Sequence, residues 1–291
     1  MSRIDLHIHS NFSDGTKTPK EIIDIAIENK LSAIALTDHD TIAGTYEFMS
    51  YNPSDKLAKI PGVEISSELF DTEVHILGFW IHKKKEIIEK FLKNILFARN
   101  SRNREMLCRL KKYYNFDISE EELKCNNDNR IIGRMNMASL LTEKGYFKSP
   151  QEAFRECLMT NGKIYIPRKL PSAEDVIKII HDSGGIAMWA HPSICELDAK
   201  CRKASIIKFL KQLIEFNIDG VEAYYSNCHR AINKLLLQLK NQYKLQVTGG
   251  SDFHGENQPN ISMGYGKNNS MFVPEIIYYE LLKYINNRNI I

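Results

Sequence analysis

Six short apolar runs in this sequence carry a histidine or a carboxylate at or near one end, and any fold of the chain must accommodate them. Ile4 to Ile8 closes on His7-Ile8-His9, with Asp14 in the loop beyond. Ala33 to Leu36 leads through Thr37 into Asp38-His39-Asp40, Lys59 to Ile65 ends around Glu64, and Val74 to Ile81 carries His75. Ile186 to Ala190 meets His191-Pro192, and Lys244 to Thr248 runs on to Ser251-Asp252-Phe253-His254. Burying so many titratable groups separately and unpaired would cost more than the net stability of a domain, so the run ends must converge and share a common partner. An α/β barrel brings strand ends together at one rim, with polar residues at the C-terminal ends and apolar residues along the strands.

The segments between these runs read as helices. Thr18-Pro19-Lys20-Glu21 is a capping box with proline in the first turn, opening a helix to about Asn29, and a second helix is expected from Ile42. Further on come a Ser172-capped helix closed by Gly184-Gly185, a helix from about Ala204 to Glu215, and another from about Cys228 to Leu239. They alternate with strands at Ile186 to Ala190, Gly220 to Ala223 and Lys244 to Thr248. Repeated β-α units predict parallel strands. From Lys84 to Tyr114 the pattern changes: Ile88, Leu92, Ile95, Met106 and Leu110 recur at helical spacing, and shorter helices are expected near 119–124, 134–143 and 150–158. The expected organisation is a barrel of residues 1–83 and 171–291, interrupted by a helical insertion at 84–170 that forms a substrate lid.

Composition narrows the class. With 291 residues, 43% hydrophobic and 26% charged, the chain can bury a core and is not disordered. No run approaches the roughly 18 apolar residues of a membrane span. The net charge of +3 is too small to mark the whole chain as a nucleic-acid binder. Between Lys83 and Lys112, however, eleven Lys or Arg face Glu86, Glu89 and Glu105, a local balance of +8 that leaves the rest at −5. That helix reads as a solvated amphipathic face whose charge can also steer an anion. The cysteines at 108, 125, 157, 195, 201 and 228 form no CxxC pair and are expected to be free thiols. Since a His-rich motif at His7 leaves no room for a leader, the expected location is cytoplasmic.

Imidazoles and carboxylates without thiolate form a ligand set for Mn, Fe or Zn, with Mg also admissible. Singly they say little: a lone His at a strand end is usually a hydrogen-bonded structural residue, and Asp38 or Asp40 could merely cap the next helix. Six coincident strand ends outweigh that reading and indicate a multinuclear metal site. His229 is counted with the strand-end histidines, whereas His82 and His181 read as surface residues. Glu222, after Val221, either orients a ligand His or sits at the barrel lip.

Taken in order, "DLHIHSNFSDGTKTP", "ALTDHDTIAG", "IPGVEIS", "VHILGFWI", "GGIAMWAHP", "DGVEAYYSN" and "GGSDFHGE" resemble the signature blocks of the PHP (polymerase and histidinol phosphatase) superfamily across essentially the whole chain. The resemblance implies a distorted (β/α)7 TIM-like barrel holding two to three divalent ions. Carried over by motif, His7, His9, Glu64 and Asp252 would hold one metal, Glu64, His75 and His191 a second, and Asp14, His39 and His254 a third. The insertion and "GRMNMASLLTEKG…ECLMTNGKIYIPR" resemble the subgroup that hydrolyses nucleoside 3′,5′-bisphosphates and 5′-monophosphates, some members acting as 5′-3′ exonucleases on short RNA. Asn136 departs from the subgroup, where many members carry His.

Divalent ions outweighing the carboxylates of Asp14, Glu64 and Asp252 leave a positive pocket that suits phosphate. The expected reaction is phosphate-ester hydrolysis by a deprotonated metal-bound water, with turnover depending most on Asp14, His191 and Asp252. No GxSxG, GxGxxG or GxxxxGK[ST] offers another chemistry. Outside the metals, Arg134 at a helix start and Lys163, Tyr165 and Arg168 in the stretch from Asn161 are the expected contacts to a phosphorylated nucleotide or short RNA. No obligate protein partner is evident. A histidinol-phosphate-type phosphatase, an amidohydrolase sharing a metal barrel, and a non-catalytic metal-binding module are the competing readings.

Overall fold

The computed structural model describes residues 2–124, 131–160, 162–192 and 202–288. The chain opens with β1 (Arg3–Ile8), α1 (Pro19–Glu28), β2 (Leu31–Leu36) and α2 (Ala43–Ser50). The capping box of α1 closes as the sequence predicts: the Glu21 amide donates to Thr18 Oγ1 at 3.3 Å and the Thr18 amide donates to Glu21 Oε2 at 2.7 Å. β3 (Ala58–Leu69) and β4 (Thr72–Phe79) precede the helices α3 (Lys85–Tyr114), α4 (Glu120–Lys124), α5 (Arg134–Glu143) and α6 (Pro150–Ala153). The barrel resumes with α7 (Ala173–Asp182), β5 (Ile186–Trp189), α8 (Arg202–Glu215), β6 (Gly220–Tyr225), α9 (Arg230–Tyr243) and β7 (Gln246–Gly250). A small hairpin, β8 (Ile261–Ser262) and β9 (Gly266–Lys267), and α10 (Ile276–Arg288) complete it.

Strands β1 to β7 pair in chain order, and the sheet rolls until its ends meet. The His9 amide donates to Phe253 O and the Asp252 amide to His7 O, each at 2.9 Å. The result is a nearly closed seven-stranded α/β barrel. Closure needs a glycine at 250, because a Cβ there would lie 2.3 Å from the His7 backbone nitrogen.

The expectation of parallel strands throughout is corrected at β4, which runs antiparallel to both β3 and β5. The cause is local. Only Phe70 and Asp71 join β3 to β4, both at positive φ (52° and 56°), a hairpin connection too short for a parallel crossover. Because β4 starts where β3 ends, His75 near its beginning stands at the same rim as the C-terminal ends of the parallel strands.

α3 explains how the insertion reaches that rim. Its 30 residues span about 45 Å. Ile88 and Leu92 belong to the barrel core, whereas Met106, Leu107 and Leu110 pack with Met137, Leu141 and Leu158 in a separate core of the insertion. Between these two ends Arg99, Arg102 and Asn103 are buried. The expected helix at 150–158 is α-helical only to Ala153; Phe154–Leu158 forms one π-helical turn. Cys108, Cys157 and Cys228 are free thiols, while Cys125, Cys195, Cys201 and Asn161 lie outside the described residues. Among the described residues no helix is long and apolar enough to cross a membrane.

Candidate metal centre and substrate cleft

The rim gathers all nine expected ligand residues around Glu64. Its Oε1 lies 2.8 Å from His191 Nε2 and 2.9 Å from His75 Nδ1. Its Oε2 lies 3.0 Å from His39 Nδ1 and 3.2 Å from Nε2 of both His7 and His9. Asp252 Oδ1 faces the same His7 and His9 atoms at 3.4 and 3.2 Å. Asp14 stands on the other flank, Oδ1 3.2 Å from His254 Nε2 and Oδ2 3.8 Å from His39 Nε2. His229 is not among them: it is exposed at the start of α9. His82 is also exposed, but His181 is not an ordinary surface residue, since its Nε2 meets buried Asp219 at 2.7 Å.

Buried groups hold this shell in place. Glu222, fully buried, takes His7 Nδ1 at 3.1 Å on Oε1 and the His191 amide at 2.8 Å on Oε2. With Nδ1 committed to Glu222, His7 presents Nε2 to Glu64 and Asp252, the atom left to meet a metal. The lip alternative for Glu222 therefore gives way to the orienting one. Asp38 caps no helix; it accepts from the Ser10 amide (2.7 Å), Ser10 Oγ (2.6 Å) and Ser13 Oγ (2.7 Å), fixing the loop after β1. Asp40 accepts the Ser66 amide at 2.9 Å and pairs with Arg99 and Arg168. His191 and Asp252 sit at φ 28° and 58°, left-handed backbone that costs about 1–3 kcal/mol for each and clusters at functional sites.

The electrostatics are those of a site built around cations. Burial alone would raise Glu64, yet His39, His7 and His75 hold it well below the usual carboxylate range. Asp252 follows the same logic, burial opposed by His7 and His254. Burial brings His39 down to about 4. Buried His7 Nε2, both His9 nitrogens, His39 Nδ1, His191 Nδ1, Asp14 Oδ1 and Glu64 Oε2 make no well-formed hydrogen bond. Orphaned atoms of this kind, converging from several strands, fit divalent metal. Three groups have ligand atoms close enough to share an ion: His7, His9, Glu64 and Asp252; His9, Asp14, His39 and His254; and His39, Glu64 and His75.

Beside the centre opens a cleft of about 240 Å³. It is lined by Asp14, His39, Glu73 and His75 from the barrel and by Arg99, Arg102, Arg134 and Arg168 from the insertion. Arg134, at the first turn of α5, lies between the rings of Phe154 and Tyr165, 5.2 and 5.1 Å from their centroids, and donates to Leu158 O at 3.1 Å. Tyr165 thus supports Arg134 and does not line the cleft, whereas Lys163 is exposed outside it. Arg168 lines it, bonded to Glu73 and, at 3.2 Å, to Ser66 Oγ. Asn136 accepts the Gly133 amide at 2.7 Å and so caps α5 beneath Arg134.

Sequence reasoning missed Arg99 and Arg102. It assigned the basic helix to solvent, but these two continue the apolar stripe through Ile88, Leu92, Ile95, Met106 and Leu110, which places them inward. Polar residues at stripe positions were the available signal.

Comparison with known proteins agrees with the geometry. The chain is 32% identical to the 5′-3′ exoribonuclease Rnm of Salmonella typhimurium over 86% of this chain and 84% of that one. It is 29% identical to the 3′,5′-nucleoside bisphosphate phosphatase of Chromobacterium violaceum, over 91% and 92% of the two chains. A solved structure of a proposed metal-dependent phosphoesterase from Bifidobacterium adolescentis superposes with a TM-score of 0.84 at 28% identity, covering 97% of this chain and 96% of that one. The PHP domain model matches residues 5–170, more than half of the sequence, and the chain belongs to the PHP domain family.

Proposed function

We propose that this chain is a metal-dependent phosphoesterase that hydrolyses phosphate esters of nucleotides, preferring 3′,5′-bisphosphates over monophosphates and acting from the 5′ end of short RNA. The observation that carries the reading is the cleft in which four arginines face the candidate metal ligands. His7, His9, Glu64 and Asp252 would hold one ion, Glu64, His75 and His191 a second, and Asp14, His39 and His254 a third, with Mn, Fe or Zn the candidate metals. Bound divalent ions supply Lewis acidity at phosphoryl oxygens and lower the pKa of a coordinated water towards neutrality. The protein's own part is positioning and charge. Glu222 keeps the His7 Nδ1 proton away from the site. Phe154 and Tyr165 pack against the Arg134 guanidinium and Leu158 O accepts from its Nη1, so that this arginine is positioned to meet phosphate. Arg99, Arg102 and Arg168 offset the substrate's remaining negative charge, and the second phosphate of a bisphosphate gives them more to hold. The segment 84–170 acts as the lid that brings these arginines over the metals.

The test is kcat/KM, with Mn2+, for adenosine 3′,5′-bisphosphate, AMP, a 5′-phosphorylated trinucleotide and histidinol phosphate side by side. The bisphosphate is expected to lead. Histidinol phosphate ahead by tenfold would overturn the nucleotide reading, and no turnover of any of them would favour a non-catalytic module.

A further inference from the structure

Glu73 stands two residues before His75 on β4, on the same face of the strand. Its Oε1 meets His75 Nε2 at 3.4 Å, while His75 Nδ1 points to Glu64 at 2.9 Å. The same Glu73 oxygen accepts a hydrogen bond from Arg168 Nη2, and Arg168 Nη1 reaches Asp40 Oδ2 at 3.4 Å. Asp40 in turn pairs with Arg99. A run of alternating charge therefore passes from a candidate metal ligand, through Glu73, to two arginines of the cleft.

We propose that Glu73 is a positioning residue that ties the metal-facing orientation of His75 to Arg168, so that the metal centre and the anion-binding arginine support one another. The inference rests on the metal-centre reading above. An imidazole that offers one nitrogen to a metal is fixed in tautomer and rotation by what its other N–H donates to. Glu73 takes that N–H. Its side chain is 41% exposed and would be solvated and mobile alone; Arg168, 17% exposed and held by Ser66 and Asp40, pins it.

One substitution separates this link from a simple field effect. Arg168→Met removes a positive charge near the cation site, which by Coulomb interaction alone would tighten metal. The link demands the opposite, because Glu73 loses its anchor and His75 its orientation. The experiment is calorimetric titration of Mn2+ into metal-stripped full-length protein, without substrate, for wild type, Glu73→Gln, Arg168→Met, Arg168→Lys and the double variant Glu73→Gln/Arg168→Met. Glu73→Gln and Arg168→Met should each weaken Mn2+ by about tenfold to a hundredfold. The double variant should bind no more than about threefold worse than Glu73→Gln, since both act through one contact, and Arg168→Lys should recover most of the affinity. Unchanged or tighter Mn2+ binding by folded Arg168→Met would overturn the link, as would losses that multiply in the double variant. Should Arg168→Met fail to fold, unchanged affinity in Glu73→Gln overturns it equally. Wild-type protein that takes up no Mn2+ would remove the metal centre itself, a result distinct from normal uptake that ignores Arg168.

Discussion

Replacing Arg102 by Met should stabilise the ligand-free protein while weakening its grip on phosphate. Arg102 is 7% exposed and, among the described residues, pairs with no carboxylate; its Nε and Nη2 meet only Asn103 Oδ1, at 3.2 and 2.8 Å. Burial, reinforced by Arg99, Arg168 and Arg134, brings its pKa from 12.5 down to about 9. At about 1.4 kcal/mol per unit this corresponds to roughly 5 kcal/mol of unfavourable charge burial, the ceiling on what substitution can recover. Met keeps the packing of the stem, so a gain of about 1–4 kcal/mol is expected, within the range for apolar replacement of buried charge. In the substrate complex the sign reverses. A lost charge-assisted hydrogen bond of about 1.5–3 kcal/mol lowers kcat/KM for adenosine 3′,5′-bisphosphate by roughly tenfold to 150-fold. Denaturant unfolding of metal-free protein and steady-state kinetics read the two effects separately. An Arg102→Met protein that is less stable than wild type, with unchanged kcat/KM, would show that the guanidinium holds the insertion together and meets no substrate.

Other expectations follow from the same contacts. Exhaustive chelation should abolish turnover and Mn2+ restore it, and Asp14→Asn, His191→Ala and Asp252→Asn should each lower kcat by orders of magnitude while the fold still melts cooperatively; full activity after chelation would refute the metal mechanism. Glu222→Gln should cost about tenfold to a hundredfold in metal affinity by releasing His7 Nδ1, a loss that metal titration would reveal or deny. Burial alone would lower His75 and His254, but Glu64 beside the first and Asp14 and Asp252 beside the second raise both to about 10 in the metal-free chain. Their stabilising contribution is complete below pH 6.5 and is lost as pH rises through 10. At neutral pH a metal must displace these protons, so Mn2+ affinity should fall with acidification and calorimetry in buffers of different ionisation enthalpy should register proton release; uptake without release contradicts the assignment.

The strand-end histidines and carboxylates were legible in the sequence because they depend on local facts: a period of two along a strand, a helix cap, and the cost of burying charge alone. These facts determined the barrel, the convergence of nine residues at one rim and the position of Arg134 at a helix start. Arg99 and Arg102 left one trace, their place on the apolar stripe of α3, and Glu73 left none, since Arg and Glu on helices and strand starts usually face water and neighbours distant in sequence decide otherwise. Arg99 is buried because Asp40, from the loop after β2, meets it across 59 positions of sequence; Glu73 matters because Arg168 arrives from the far end of the insertion. The direction of β4 was likewise decided by a two-residue turn of Phe70 and Asp71, of which Asp tolerates positive φ but the bulky Phe70 does not favour it. Pairing in the closed sheet imposes that conformation, and with it the placement of His75 at the rim. Local chemistry chose the ligand types, and long-range packing chose which charges would surround them.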